Sequence, residues 1–296
     1  MAIVLGPNQY GKEEIRLVRL TRGATRHQIR DLTVGVALTG DMTAAHLTGD
    51  NAAVLPTDTQ KNTVYAFAAE YGIGPLEAFA LRLARHFVES QASISTARVS
   101  IAEHGWDPVG GTGHSFARRG SETRTAVVSY DGGTAWAVSG LAGLTLLNSA
   151  GSEFHGYIKD RYTTLTETTD RILATDVSAR WRHAAVPLDG GGDWDGSHAA
   201  ARDHLIGAFA QTHSLSLQQT LYAMGHRVLE HRPEIAEVRL ALPNRHHFTV
   251  DLAPFGLPNP GEVLYAADRP YGQIEGTVLR DDAPPTSPSP LDGLAW

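Results

Sequence analysis

The sequence has 296 residues with 25 Lys and Arg against 32 Asp and Glu, which gives a formal net charge of −7, and it contains no cysteine. The negative charge argues against a nucleic-acid partner and against an anionic membrane surface, because both attract basic proteins. The lack of cysteine excludes disulfides, thiolate metal sites and iron–sulfur clusters. No apolar run approaches the roughly 20 residues that a membrane-spanning helix needs. An apolar content of 42% is typical of globular proteins, and we expect a soluble, intracellular one.

The first half of the sequence predicts a long β-hairpin, two helices and two further strands. Strict alternation of apolar residues predicts the strands, and recurrence at helical spacing predicts the helices. A short break at Arg22, Gly23 and Ala24 separates the two strands of the hairpin, and Tyr10 to Lys12 precede it. The predicted elements are residues 14–41, 57–71, a helix from Pro75, 94–104 and 123–130, after which Asp131-Gly132-Gly133 supplies a turn to another short strand. The apolar face of the helix from Pro75 consists of Leu76, Phe79, Ala80, Leu83 and Phe87.

The second half predicts the same order of strands, a helix pair and strands, without a repeat of the sequence itself. Its predicted elements are residues 172–181, 199–211, 216–230, 235–242, 247–252 and 263–267. Strands that bracket helix pairs favour antiparallel sheets with helices on one face, so the predicted class is α+β. We divide the chain into a first unit, 1–138, a second unit, 139–280, and a proline-rich tail, 281–296.

Two of the predicted helices begin with similar sequences. Thr57 is followed by Gln60, and Ser216 is followed by Gln219. Both pairs match a capping box, in which the two side chains satisfy the first free backbone N–H groups of a helix. A helix start also attracts anions, because its free N–H groups and its dipole both favour negative charge.

Several polar segments do not follow from core packing, but each has an ordinary explanation when it is taken alone. These segments are Tyr10-Gly11-Lys12, Thr57-Asp58, Asp170-Arg171 and Pro243-Asn244-Arg245-His246-His247. Lysines and paired histidines in turns are usually solvated, and capping explains a Thr-Asp pair at a helix start. No zinc-binding histidine spacing, nucleophile elbow, Walker loop or dinucleotide-binding glycine motif occurs. The residues alone therefore indicate an α+β protein with candidate anion sites.

Read together and in order, these segments and three others resemble the urate oxidase (uricase) family. The resemblance covers nearly the whole chain, from Tyr10 to about Thr277. The matching segments are Tyr10 to Lys12, Leu55 to Tyr65, Gly140 to Leu144, Ser152 to Tyr157, Asp160 to Leu165, Glu167 to Ile172 and Pro243 to His246.

The resemblance implies oxidation of urate by O₂ to 5-hydroxyisourate and hydrogen peroxide, with no metal and no organic cofactor. Urate is an anion at neutral pH, and the loss of a further proton makes it a better electron donor. Such a site has to hold a flat, polar anion and to supply a base.

The resemblance also implies which residues bind the substrate. The ring of Phe154 would stack on the purine, and the guanidinium of Arg171 would bind its pyrimidine edge. The amide of Gln218 and the backbone N–H of Leu217 would meet that same edge, and a backbone contact tolerates leucine where the family has valine. The matching substrate-binding residues are Thr57, Asp58, Phe154, Arg171, Leu217, Gln218 and Asn244.

By the same resemblance, Lys12, Thr57 and His246 would form a proton relay. A neutral lysine is a strong base, and burial or a nearby cation lowers its pKa. The Thr57 hydroxyl would pass a proton between Lys12 and a water above the ring, and His246 would accept or return it. Thr57 and Asn244 would flank the position of oxygen or water above the purine.

The family fold is a tandem tunnelling fold (T-fold) that assembles into a tunnel-shaped homotetramer with active sites at subunit interfaces. One chain would contribute Lys12, Thr57 and Asp58, and its neighbour would contribute the other site residues. Eukaryotic members often end in a peroxisomal Ser-Lys-Leu signal, whereas this chain ends in Leu294-Ala295-Trp296, so we expect a bacterial, cytoplasmic enzyme.

Two other functions stay open at this stage. One is a purine- or pterin-handling T-fold relative, such as a zinc-dependent cyclohydrolase or a reductase, although those need a cysteine or a zinc-binding histidine arrangement. The other is a purine-binding protein without turnover, which the complete set of relay residues disfavours.

Overall fold

The computed structural model describes residues 2–267 and 269–284. Most of the predicted proline-rich tail, from residue 285 onward, lies outside the described residues. No helix in the described part is long and apolar enough to cross a membrane. The strands are β1 (Tyr10–Thr21), β2 (Gln28–Gly40), β3 (Ile94–Pro108), β4 (Phe116–Tyr130), β5 (Ala135–Asn148), β6 (Leu173–His183), β7 (Ile235–Arg245), β8 (His247–Thr249), β9 (Leu264–Ala266) and β10 (Gly272–Leu279). The helices are α1 (Thr43–Leu47), α2 (Thr57–Glu70), α3 (Leu76–Ser90), α4 (Trp194–Gln211) and α5 (Leu217–His231), with a 3₁₀ turn at Ala253–Phe255.

One antiparallel sheet of eight strands forms the frame of the molecule. Its strand order is β1-β2-β3-β4-β5-β6-β7-β10, and β8 and β9 form a separate two-stranded sheet. Helix α2 packs on β1, α3 on β3 and β4, and α5 on β7 and β10. The α+β class and the antiparallel architecture that the sequence predicts are confirmed.

Helix α3 shows how the pattern of the sequence produces the packing. Leu76, Phe79, Leu83 and Phe87 recur at helical spacing and are almost fully buried against β3 and β4. Pro75 stands directly before the helix with a φ of −61°, close to the value that its ring imposes. The predicted apolar face of this helix is confirmed.

Strand β6 follows the alternation of the sequence in the same way. Leu173, Thr175, Val177, Ala179 and Trp181 have no exposed surface and share the face that packs under the helices. Successive side chains of a strand point to opposite faces, so this alternation assigns the whole strand to one register.

The buried apolar residues form two clusters that divide along β5. The first cluster contains Ala135 and Ala137 of β5, and the second begins with Leu141. Trp194, the first residue of α4, belongs to the first cluster although the rest of α4 packs in the second. The proposed boundary between residues 138 and 139 falls inside β5, which is paired on both sides, so the division into two units stays a prediction.

The structure corrects several sequence-based expectations. Strand β1 begins at Tyr10, so Tyr10 to Lys12 lie within the first strand and not before it, since the backbone from Tyr10 pairs with Leu38 of β2. Helix α1 and strand β10 were not expected, and β5 has 14 residues where only a short strand was expected. The second expected capping box is present, because the Ser216 hydroxyl accepts a hydrogen bond from the backbone N–H of Gln219 at 3.2 Å.

Candidate active site

Lys12 lies on β1, immediately before an irregularity in the pairing of β1 with β2. Lys12 is opposite Val36 and Ile15 is opposite Val34, so two residues of β1 face one residue of β2. The second of the two, Glu14, has a φ of 56°, which a non-glycine residue adopts only at a cost. This β-bulge bends the edge strand next to Lys12 and sets the direction of its half-buried side chain.

Two tyrosine hydroxyls hold α2 against β1. The Tyr10 hydroxyl accepts a hydrogen bond from the backbone N–H of Leu55 at 3.0 Å, and the Tyr65 hydroxyl donates to the carbonyl of Arg16 at 3.1 Å. The first of these bonds ends two residues before α2. The start of the helix is therefore attached to the part of β1 that contains Lys12.

This attachment brings Lys12 within electrostatic range of the start of α2. The pKa of Asp58 is lowered mainly by its hydrogen bond and ion pair with Lys61, and the charge of Lys12 adds a smaller attraction. Lys12 has no ion pair within 4 Å among the described residues. Lys12, Thr57 and Asp58 thus form one group, which we call the relay group.

The start of α2 differs from the predicted capping box. Thr57 is the first helical residue and Pro56 takes the N-cap position, so no side chain caps the helix. Gln60 is fully buried and donates from its amide to the carbonyl of Leu55 at 3.3 Å, so its side chain does not accept from a backbone N–H as a capping box requires. In the described part of the chain the Thr57 hydroxyl has no hydrogen-bond partner. The prediction that Thr57 caps the helix is therefore wrong, and the first N–H groups of α2 stay open to a ligand.

Phe154 lies in the long connection between β5 and β6, where two backbone hydrogen bonds fix it. Its N–H donates to the carbonyl of Thr168 at 2.8 Å, and the N–H of Thr168 donates back at 3.1 Å. The ring of Tyr157 stacks on that of Phe154 with centroids 4.9 Å apart and an interplanar angle of 15°. Phe154 is therefore a fixed, half-buried aromatic surface.

Arg171 places its guanidinium over this ring, with Cζ 5.0 Å from the ring centroid of Phe154. Its backbone N–H donates to the carbonyl of Ser152 at 2.8 Å, which fixes the main chain beside Phe154. Burial lowers the pKa of Arg171, and its Nε atom is buried with no hydrogen-bond partner among the described residues. A buried, unsatisfied N–H of a cation calls for an acceptor, and a ligand anion would supply one.

His246 and Asn244 lie at the end of β7, close to Arg171. The pKa of His246 is lowered first by burial and then by the positive charges of Arg171 and His247, so this imidazole is neutral at neutral pH. Asn244 is opposite Thr175 of β6, whose buried hydroxyl also lacks a partner among the described residues.

Backbone hydrogen bonds join the start of α5 to the segment that contains Phe154. Glu153, next to Phe154, donates its N–H to the carbonyl of Ser214 at 2.7 Å, two residues before the cap of α5. Leu217 is buried and Gln218 is exposed at the first turn of the helix. A second group comprises Phe154, Arg171, Leu217, Gln218, Asn244 and His246, and we call it the ring-binding group.

The relay group and the ring-binding group do not meet within one chain. Strand β1 is at one edge of the sheet and β7 is next to the other edge, six strand intervals away. At about 4.8 Å per strand this is roughly 29 Å along the sheet. No hydrogen bond, ion pair or ring contact joins the two groups within residues 2–267 and 269–284.

Tyr157 and Glu153 belong to the surroundings of the site but were not predicted. In the sequence both lie within the segment Ser152 to Tyr157 that resembles the family, but no periodicity distinguishes them from loop residues. Within the described residues no group of three or more His, Asp or Glu side chains is arranged to hold a metal ion.

An antiparallel sheet with helix pairs on one face, and with candidate site residues near both open edges, defines a protein of the T-fold class. The model of the uricase family matches residues 8–129 and 137–275. The uricase of Arthrobacter globiformis is 55% identical over 279 residues, which cover 94% of this chain and 91% of the relative. The uricase of Danio rerio is 35% identical over 281 residues, or 92% of this chain and 93% of the relative.

Solved structures agree with this. The crystal structure of the Arthrobacter globiformis uricase superposes with a TM-score of 0.92 at 53% identity, covering 97% of this chain and 99% of that one. A uricase crystal structure from Bacillus fastidious has a TM-score of 0.79 at 24% identity over 95% of this chain and 96% of that one, which shows the shared fold. The chain belongs to the uricase family, and its sequence-based identification as a urate oxidase, an oxidoreductase, is confirmed.

Proposed function

We propose that this chain oxidises urate with O₂ and water to 5-hydroxyisourate and hydrogen peroxide, without a metal or an organic cofactor. Two electrons leave the urate ring for O₂, and water supplies the new hydroxyl oxygen. The main support is the half-buried Arg171 guanidinium, which lies over the Phe154 ring and whose Nε–H has no acceptor in the part of the chain that the structure describes. An aromatic face beside an unpaired cation suits a flat anionic heterocycle.

In this proposal the ring-binding group holds urate by its face and by one edge. The purine stacks on Phe154, whose orientation is supported by the ring of Tyr157. The guanidinium of Arg171 donates to the pyrimidine edge, and the backbone N–H of Leu217 and the amide of Gln218 meet the same edge. Because α5 is capped by Ser216, these groups are held on a well-defined helix start.

The relay group binds the opposite edge and moves protons. Thr57 and Asp58 offer the open N–H groups of α2, and a developing negative charge on urate is stabilised there. Lys12 is the base, and the Thr57 hydroxyl, which has no partner among the described residues, passes the proton between Lys12 and a water above the ring. Neutral His246 accepts or returns that proton, and Asn244 with Thr57 flanks the position of oxygen or water.

The site needs two subunits in this proposal, because the two groups are roughly 29 Å apart along one sheet. A homotetramer in which the relay group of one chain meets the ring-binding group of its neighbour satisfies this requirement. A cytoplasmic location, expected from the sequence, stays a prediction.

Subunit mixing tests the shared site. Thr57→Ala and Arg171→Ala chains, each nearly inactive alone, are denatured together in equal amounts and refolded. Random mixing then rebuilds about a quarter of the sites, since a site is intact when each of its two chains supplies the undamaged half. Urate absorbance and peroxide formation report the activity.

The matched control mixes Thr57→Ala with Lys12→Met, two lesions in the same group. This mixture should stay inactive, because no pairing of these chains makes an intact relay group. If the first mixture contains hybrid tetramers by mass and is still inactive, the shared site is wrong.

Treatment with a chelator tests the proposed lack of a metal. We expect no loss of activity after exhaustive dialysis against the chelator. A loss that a specific metal ion restores would contradict this part of the proposal.

A further inference from the structure

The carboxylate of Glu153 bonds two imidazoles beside the proposed site. One oxygen accepts from Nε2 of His213, and the other accepts from Nε2 of His155 at 2.8 Å. Both imidazoles act as donors through Nε2, because an ionised carboxylate only accepts. The Glu153 side chain is 19% exposed, whereas the two histidines are about half exposed.

The bond to His213 connects two segments that the chain separates by 60 residues. Glu153 precedes Phe154, and His213 precedes the turn that leads into α5. The backbones of these segments are also bonded, because Ser152 and Ser214 form a parallel bridge and the N–H of Ser214 donates to the carbonyl of Gly151 at 2.9 Å. Glu153 therefore adds a side-chain bond to the backbone bonds that join residues 151–155, which we call the Phe154 segment, to the start of α5. We call this set of bonds the junction.

The bond to His155 is different, because both residues belong to the Phe154 segment. It stabilises the local turn and connects nothing else. The two histidines are similarly exposed, so the two bonds differ mainly in the segments that they join. Of the two bonds, only the one to His213 joins two segments, and the one to His155 is a local contact.

The junction links two parts of the ring-binding group. Phe154 supplies the surface for the ring, and Leu217 and Gln218 supply donors for its edge. The distance between surface and donors has to match the thickness and width of one purine, so a change in this distance weakens the contacts that hold urate.

We propose that Glu153 is a positioning residue of the urate site, which sets the Phe154 ring relative to the first turn of α5 through its bond to His213. This inference rests on the proposed ring-binding group. Glu153 does not contact the reacting atoms; it acts through the two segments that it joins.

The test compares Glu153→Ala, His213→Ala and His155→Ala in the full-length protein. We expect Glu153→Ala and His213→Ala to raise KM for urate, and the Kd of the non-reacting analogue 8-azaxanthine, by roughly 10-fold, the effect of losing about one hydrogen bond. The kcat at saturation should fall much less, because the relay group lies on another part of the sheet. His155→Ala should stay within about twofold of the unchanged protein. Glu153→Gln should recover most of the lost affinity, since an amide still bonds His213.

A merely structural role would lower the thermal midpoint in all variants without this split between KM and kcat. Equal effects of His155→Ala and His213→Ala on KM would overturn the proposal, and so would an unchanged KM in Glu153→Ala. Glu89→Ala, which removes an exposed carboxylate on α3 that pairs with Arg85 at 2.8 Å, controls for the loss of a surface charge.

A double-mutant cycle with Phe154→Ala distinguishes a failure of the positioning role of Glu153 from a failure of the ring-binding group itself. If Phe154→Ala does not weaken analogue binding, the ring-binding group itself is wrong. If it does, and the Glu153→Ala effect persists undiminished in the Phe154→Ala background, only the positioning role of Glu153 is wrong. We expect Glu153→Ala to weaken analogue binding less in the Phe154→Ala background than in the unchanged protein, because both substitutions act on the same ring.

Discussion

Helices α2 and α5 begin with similar sequences but are built differently. At α5 the Ser216 hydroxyl accepts from the N–H of Gln219, and the Gln219 side chain accepts from the N–H of Leu215 at 2.8 Å. At α2 the corresponding Thr57 already has helical geometry, and Gln60 turns into the core. The start of α5 has a side-chain cap, whereas the start of α2 has no such cap and its Thr57 hydroxyl has no partner among the described residues.

In the proposed site this difference suits the two helix starts to different tasks. A satisfied cap stabilises a helix and gives a rigid support, which suits the donors that hold the edge of a ligand. An uncapped start costs stability but leaves N–H groups for a ligand and a hydroxyl for proton transfer. Departure from a local rule is expected at functional sites, and here it coincides with the proposed relay group.

The largest effect is expected from Lys12→Met, which removes the proposed base. We expect kcat to fall by about 10²- to 10⁴-fold, the usual contribution of a general base. The affinity for 8-azaxanthine should change little, because Lys12 acts in chemistry and the ring-binding group holds the ligand. Steady-state kinetics and analogue titration check this. If the variant keeps most of its turnover, the assignment of proton transfer to the relay group is wrong.

Arg171→Ala should act in the opposite way and weaken binding first. It removes the donor fork from a buried anion, which costs about 2–5 kcal/mol of binding free energy. Arg171→Lys keeps the charge but not the planar fork, so it should recover only part of the affinity. Isothermal titration with 8-azaxanthine measures both. An unchanged affinity in Arg171→Ala would mean that Arg171 does not hold the ligand, and that binding is not the task of the ring-binding group.

The region where the two core clusters meet should make stability depend on pH. Ser139 of β5 donates to Glu77 of α3 at 2.6 Å and accepts from His183 of β6 at 2.8 Å. Burial lowers the pKa of His183 to about 4. The folded state therefore prefers the neutral imidazole, and the unfolded state, with a pKa of about 6.5, binds a proton first.

It follows that the free energy of unfolding should fall as the pH drops from about 6.5 to about 4, by up to about 3 kcal/mol from this group. His183→Gln should make this dependence less steep, because it removes the buried imidazole. Thermal midpoints at fixed protein concentration, measured across this pH range, decide the matter. An identical slope in His183→Gln would show that other groups cause it, such as buried His198, whose pKa is also lowered to about 4.

The smallest effect concerns the caps themselves. Ser216→Ala should lower the free energy of unfolding by about 1 kcal/mol, because it removes a cap hydrogen bond. Thr57→Ala should lower it less, since its hydroxyl has no partner in the described part of the chain, although it should abolish turnover. Calorimetry on the two variants at equal concentration compares them. Equal destabilisation would mean that Thr57 caps α2 after all.

The sequence by itself determined the elements with strong periodicity. Alternation predicted β6, helical spacing predicted α3, and the Ser216 cap was predicted from four residues. These features depend on neighbours along the chain, so local rules suffice for them. The family was identified in the same way, from segments whose order and spacing are visible in the sequence.

Only the tertiary structure decided features that depend on distant partners. Strand β10 contains Gly272 and Gly276, which are weak in strands, but a Cβ at Gly276 would come within 2.9 Å of Leu221, so close packing of α5 favours glycine there. The start of α2 depends on the core that receives Gln60. The separation of the relay group from the ring-binding group follows from the strand order, which pairs residues far apart in sequence and which no local pattern encodes.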